Sequence, residues 1–287
     1  EHVGFVWKDT RGMGTGNIWN NNLRSAFSAS PIIPVYDADG NYNSTVNSDW
    51  NVNDGNPYGN MMVNRYNNSK NGSLDANVYV QIEPIKNLRF KTVYGISYGA
   101  SEYRAYTPKY QFTPQTANTV SKVNQSHGHG LSMVWTNTLS YDFNIATEHH
   151  VNALIGSELS TYDGSNTEGS NTGLIPGFDD WDHAYLVNTN GTENKTVKGS
   201  PYDSTRGMSY FARLGWTWKE RYMVNATMRA DGSSKFAKGN RWGYFPSVSA
   251  GWTISEEKFM ESVKSWFDFL KIRVSWGQVG NANINCY

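Results

Sequence analysis

Residues 208–230 read MSYFARLGWTWKERYMVNATMRA, and their alternation decides the fold. From Met208 to Trp218 the even positions are Met208, Tyr210, Ala212, Leu214, Trp216 and Trp218. The odd positions carry Ser209, Arg213, Gly215 and Thr217, with Phe211 the single aromatic among them. Period-2 alternation puts one greasy and one wet face on an extended strand. After the polar break at Lys219-Glu220 the pattern resumes, with Tyr222, Val224, Ala226, Met228 and Ala230 against Arg221, Asn225, Thr227, Arg229 and Asp231. Two strands joined this tightly form an antiparallel hairpin.

The same alternation recurs outward from this hairpin. Leu74, Ala76, Val78, Val80 and Ile82 form one apolar stripe, and Leu88, Phe90, Tyr94, Ile96 and Tyr98 the next. Leu131 to Ile145 and Val151 to Leu159 follow, then Tyr244 to Ile254 and Leu270 to Gly277. Val3, Phe5 and Trp7 suggest a further strand at the start. Short connections at Glu83–Asn87, Thr147–Glu148 and Lys219–Glu220 alternate with long ones at 99–128, 162–207 and 232–242. Short turns at one rim, long loops at the other and strands of about ten residues are the pattern of an outer-membrane barrel. Phe90, Tyr141, Phe143, Trp216, Trp218, Tyr222 and Trp252 fall near the short-turn end on the apolar stripes, as an interfacial girdle would. Pro246 lies inside a strand and predicts a bulge there. A short helix is expected over Glu256 to Phe267, and another over Trp19 to Ser28. The fold class is therefore all-β: an antiparallel transmembrane β-barrel segment of about eight or nine strands, with long extracellular loops and short periplasmic turns. Residues 1–73 read as an extracellular loop region after a truncated strand, and 74–287 as barrel strands.

Composition agrees. The chain of 287 residues has 38% hydrophobic and 14% aromatic residues with 27 Gly, which favours a turn-rich β protein. No run approaches the ~20 apolar residues of a transmembrane helix. Lys+Arg 25 balance Asp+Glu 25, and no basic tract is interleaved with aromatics, so nucleic acid is not an expected partner. The one Cys, Cys286, permits no internal disulfide, and no signal peptide is visible.

Several motifs are weighed and set aside. Gly95-Ile96-Ser97-Tyr98-Gly99 has nucleophile-elbow spacing, but a polar loop rather than a helix follows. His127, His129, His149 and His150 sit at opposite ends of one strand and cannot converge on a metal. Asp37-Ala38-Asp39-Gly40-Asn41 begins like a calcium loop, but Ser48 stands where the twelfth-position Glu is needed, so it reads as a turn. Neither catalytic residue, metal nor cofactor is expected. Asp179, Asp180, Trp181 and Asp182, in the longest internal loop, pair carboxylates with an indole, which suits stacking on a sugar with the acids accepting its hydroxyls rather than a glycosidase pair, and Trp50 joins them as a loop aromatic. Arg213, Arg229 and Asp231, on wet faces, are expected to form a polar network lining a lumen.

A family resemblance rests on Trp218-Lys219-Glu220-Arg221-Tyr222, Arg229-Ala230-Asp231-Gly232-Ser233-Ser234-Lys235-Phe236, Arg241-Trp242-Gly243-Tyr244-Phe245-Pro246-Ser247, Gly251-Trp252, Ser255-Glu256-Glu257, Leu270-Lys271-Ile272-Arg273 and Gly280-Asn281. These resemble the barrel of the SusC/RagA family of TonB-linked outer-membrane proteins, with Glu220 and Ala282 as mild departures. Tyr36-Asp37-Ala38-Asp39-Gly40 and Asn56-Pro57 extend the likeness loosely. The resemblance implies an importer in the cell outer membrane, a barrel of about 22 strands around a plug. It implies a TonB complex acting through an N-terminal part outside this chain, and a SusD-like lipoprotein that captures oligosaccharides or peptides. A small passive barrel closed by these strands alone, or a secreted soluble glycan-binding β-protein, are the other readings.

Overall fold

A computed structural model describes residues 1–12, 24, 26–27, 29–45, 55–200, 203–263, 266, 268–282 and 284. The strands are β1 (His2–Arg11), β2 (Asn67–Ile85), β3 (Leu88–Thr107), β4 (Tyr110–Gln111), β5 (Ala117–Asn118), β6 (Lys122–Ile145), β7 (His149–Thr172), β8 (Thr196–Gly199), β9 (Asp203–Trp218), β10 (Tyr222–Ser233), β11 (Trp242–Thr253) and β12 (Lys271–Gly277). A helix, α1 (Pro57–Val63), precedes β2. Ten strands make one antiparallel sheet in the order β1-β2-β3-β6-β7-β9-β10-β11-β12, with β8 beside β7 in the lane that β9 continues. Most of the expected helix over Trp19–Ser28 lies outside the described residues.

Register explains why the stripes read from sequence cooperate. Residues directly opposite in an antiparallel pair share a face. Ile82 pairs Phe90, Phe90 pairs Leu139, Leu139 pairs Ile155 and Ile155 pairs Ala212. Ala212 then pairs Met228, which pairs Pro246. The apolar face is thus continuous across the sheet. It is also uncovered: Ile155 is 59% exposed, Leu214 54% and Val274 68%. A second layer over these residues would make a sandwich, and among the described residues none lies over them, which argues against that reading. β1 and β12 end the order unpaired with one another, which also excludes a small barrel closed by these strands alone.

The uncovered face has the height of a bilayer core. On β3 the apolar run from Leu88 to Tyr98 spans about ten steps of ~3.4 Å, about 25 Å tall at the tilt of barrel strands. At its short-turn edge His149, Trp218, Tyr222 and Trp252 stack in sequence across four strands, with centroids 5.8, 5.4 and 6.3 Å apart. Trp216 Nε1 donates to His149 Nδ1 at 3.1 Å, which satisfies the indole inside the row. Trp216, Trp218, Tyr222 and Trp252 of the expected girdle gather in this row, while Tyr141 stacks on Phe143 apart from it, with centroids 5.1 Å apart.

The short turns lie on that rim. Lys219 and Glu220 both take left-handed backbone, φ 50° and 57°, and Arg221 N donates to Trp218 O at 3.0 Å. The left-handed pair closes a three-residue connection, Lys219 to Arg221, between Trp218 and its partner Tyr222. Lys219 ties the turn to its neighbour, with Nζ 2.9 Å from Glu148 Oε1.

Three expectations need correction. The strands are not all about ten residues long: β2 has 19, β3 has 20, and β6 and β7 have 24 each. The polar stretches around 99–107, 122–130 and 160–172 hold the ladder because their neighbours pair with them, although no buried face marks them in the sequence. Pro246 causes no bulge, since the β10–β11 register runs through Met228↔Pro246 unbroken. Its carbonyl accepts from Gln278 N on the β12 side, and β12 has already ended opposite Ser247, so the missing donor faces no strand. The region after β11 forms two 3-10 turns, Ile254–Glu256 and Lys258–Val263, rather than one α-helix.

Glu257 separates those turns and pins them to the rim. Its carboxylate accepts from Tyr222 Oη, from Trp252 Nε1 at 3.0 Å and from Arg221 at 3.1 Å. These bonds, Tyr222 first, then Trp252 and the Arg221 charge, hold the Glu257 carboxyl below the usual carboxylate range. A lowered folded-state pKa adds stability that is present above the unfolded value and is lost as pH falls through the folded one. Amides of 255–263 are therefore expected to exchange faster on acidification below the ordinary range, and Glu257→Gln should remove that pH dependence. A dependence unchanged in Glu257→Gln would refute the latch.

Candidate ligand cleft and inner polar face

The wet face carries the polar network. Arg229 Nε donates to Asp231 Oδ1 at 2.7 Å and its Nη2 to Glu158 Oε1 at 3.1 Å, while Thr136 Oγ1 donates to Glu158 Oε2 at 3.3 Å. Strand parity brings them together, because Glu158, Ser209 and Asp231 share one row and Phe211 and Arg229 the next. Arg213 is not in this group; its Nη2 reaches Asn225 Oδ1 at 3.4 Å. Nearer the short-turn rim, Arg89 pairs with Asp142, which also accepts from Asn152 Nδ2. Glu158, absent from the expected network, was marked in the sequence by its wet-face position.

Rings lie flat among these charges where glycines make room. Phe211 fills the space over Gly156, and a Cβ there would collide with its ring and come within 3.0 Å of Asn137 O. The Arg229 guanidinium stands 5.4 Å from the Phe211 centroid.

The second candidate lies at the long-loop end. Residues 174–190 fold back on β3, β6 and β7, where Tyr106, Val123, Leu174 and Ala184 form a small buried core. Leu186 N donates to Gln125 Oε1 at 2.8 Å, and Tyr106 Oη donates to Asp179 O at 3.0 Å and Oδ1 at 3.2 Å. Across from this loop, Asn56 caps α1 by accepting from Gly59 N at 2.9 Å, with Pro57 supplying the preset φ of a first turn. α1 packs Gly59 against Phe112, whose carbonyl accepts from Thr45 N at 2.9 Å. The Asp37–Gly40 turn closes the group, with Asp37 Oδ1 accepting from Asp39 N and Asn41 N, so the calcium-like motif is a turn as expected.

Between these parts is a cleft of about 870 Å³ lined by Tyr36, Tyr42, Arg65, Tyr66, Tyr106, Lys109, Tyr110 and Asp179 to Asp182. Of the sequence-expected ligand residues, Asp179, Asp180, Trp181 and Asp182 all line it; Trp50 lies outside the described residues. Asp179 is also 4.0 Å from Lys109 Nζ. Asp180 accepts from His183 N at 2.9 Å and contacts its ring at 2.8 Å, and these bonds, the backbone one first, hold its carboxyl below the usual range. Trp181 stacks on Tyr66 with centroids 6.1 Å apart, and Arg104 lies over its ring at 3.9 Å. The remaining lining residues were not singled out from sequence, because they come from loops far apart in the chain. Among the described residues, no group of three or more His, Cys, Asp or Glu is placed to hold a metal ion.

Comparison with known proteins places this geometry. Residues 7–285 match the family described as TonB dependent receptor-like, beta-barrel. A TonB-dependent receptor of Formosa agariphila is 28% identical over 92% of the chain, which spans 26% of that protein's length. The TonB-dependent receptor SusC of Bacteroides thetaiotaomicron is 51% identical over 77 residues, covering 27% of the chain and 8% of SusC. A solved structure of the RagAB peptide transporter shares the fold with a TM-score of 0.70 at 22% identity, over 88% of this chain and 27% of that one.

Proposed function

Since the chain belongs to the TonB-dependent receptor β-barrel family, an outer-membrane transport family, we propose that it forms a wall segment of an outer-membrane importer of glycans or peptides. The importer works with a SusD-like surface lipoprotein and takes its energy from the TonB complex through a part of the protein outside this chain. The observation that carries this reading is the continuous, uncovered apolar face of bilayer height, backed by an inner face of paired charges. A lipid bilayer is the partner that such a face requires, and Arg229, Asp231 and Arg213 line a wet lumen behind it. The long loops, with Trp50 and Asp179 to Asp182, lie outside the cell, on the side from which substrate and lid approach.

The charges serve structure rather than turnover. Asp231 is held by Arg229 and does not face a second free carboxylate, so purified full-length protein should hydrolyse no candidate glycan. Turnover that Asp231→Asn abolishes would overturn the non-enzyme reading. A cysteine at the exposed position 182 (Asp182→Cys) should react with a membrane-impermeant maleimide added to intact cells; labelling only from the periplasmic side would end the proposed orientation.

A further inference from the structure

The cleft does not stand over the lumen. Pairing of β3 with β6 runs without a shift from Leu88↔Tyr141 to Thr107↔Lys122, so each face can be followed to the top of the wall. Arg104 and Tyr106 have the parity of Phe90, Ile96 and Tyr98, the apolar face, and Val123 and Gln125 have the parity of Leu131 and Leu139. The loop 174–190 packs on precisely those four side chains through Trp181, Tyr185, Leu174 and Leu186. It is therefore a shelf on the outer flank of the wall. From Tyr98 to Tyr106 is about eight steps of ~3.4 Å, which at barrel tilt sets the shelf ~20 Å above the hydrocarbon.

We propose that this flank cleft binds a saccharide chain, outside the transport path. The inference rests on the bilayer reading of the apolar face, which fixes which flank is outward. Its chemistry comes from what the lining has left to offer. Asp179 is engaged by Tyr106 and Lys109, and Asp180 by His183, so a cationic ligand finds those counter-charges occupied. Tyr36, 48% exposed, and the half-buried Tyr110 each stack on a neighbour, Tyr42 and Phe112, and line the cleft beside them, while Asn41, Gln111 and the exposed Asp182 present amides and a carboxylate. Ring faces against C–H surfaces, with polar groups for hydroxyls, suit a sugar. A peptide would be gripped through a free strand edge or a deep apolar pocket. β3 is paired on both sides, β4 and β5 offer only two residues of edge each, and the lining mixes rings with charged and amide groups instead of forming a deep apolar pocket. At this height beside an outer leaflet of glycolipid, the ligand is either the saccharide of that glycolipid or a free glycan.

Full-length protein in detergent micelles, titrated calorimetrically, tests this. The probes are lipopolysaccharide of the producing strain, the polysaccharide detached from it by mild acid, neutral starch and xylan oligosaccharides, and a tryptic casein digest. The variants are Tyr36→Ala/Asp182→Asn and, independently, Tyr110→Ala, with heat-modifiable migration to confirm folding. Binding of intact and detached lipopolysaccharide, weakened at least tenfold in both variants, identifies the cell's own glycolipid. Binding of the neutral oligosaccharides alone, weakened likewise, identifies a free glycan. No saccharide binding, saccharide binding unchanged in both variants, or peptide binding that the variants abolish overturns the proposal. Failure of the bilayer reading shows separately, as folding without any amphiphile.

Discussion

Leu214→Arg is expected to destabilise the full-length protein in lipid or detergent by roughly 2–4 kcal/mol, the cost of a basic side chain near the middle of a barrel's lipid face. Leu214 lies between Ala153 and Ala226 on the apolar face and is 54% exposed, so the arginine has neither a partner nor a water-filled cavity. Arg213→Leu, one residue away on the wet face, loses only a 3.4 Å contact with Asn225 and should cost under ~1 kcal/mol. Urea titration of heat-modifiable folding in lipid vesicles measures both. A Leu214→Arg variant as stable as the parent, or a parent that folds equally well without amphiphile, would show that the apolar face does not meet a membrane.

Gly156→Val is expected to cost about 1–3 kcal/mol by overpacking, on the opposite face and for a different reason. The new side chain enters the space occupied by the Phe211 ring, which is also the neighbour of Arg229. Phe211→Ala in the same chain should recover part of the loss, giving a coupling of about 0.5–3 kcal/mol in a double-mutant cycle. Recovery stays incomplete because Asn137 O also lies 3.0 Å from the added Cβ. Strict additivity would mean that the ring does not depend on the glycine.

The two substitutions probe features of unequal visibility in the chain. Leu214 announces itself, since alternation around it runs unbroken from Met208 to Trp218 and a one-residue slip would invert every side chain. Gly156 does not, because its role depends on which ring of a neighbouring strand lies over it. The same holds for the cleft. Asp179 to Asp182 stand out as a local run of acids around an indole, but Tyr36, Arg65 and Tyr110 reach them only through tertiary packing of separate loops.

Strand alternation and turn spacing were sufficient for the all-β class and the apolar face, because both depend on short-range periodicity that a linear reading preserves, while the family was legible as a resemblance carried by the motifs of 218–281. The lengths of β6 and β7, the unbroken register at Pro246, the company Arg229 keeps and the outward seat of the 174–190 loop were decided only in three dimensions. In the upper wall the stretches 99–107, 122–130 and 160–172 are mostly polar and lack a regular apolar stripe, so pairing with adjacent strands, rather than any local pattern, extends the ladder. Parity then carries that extension onto the outer flank, and this is what seats a loop read only as long and extracellular on a shelf beside the wall.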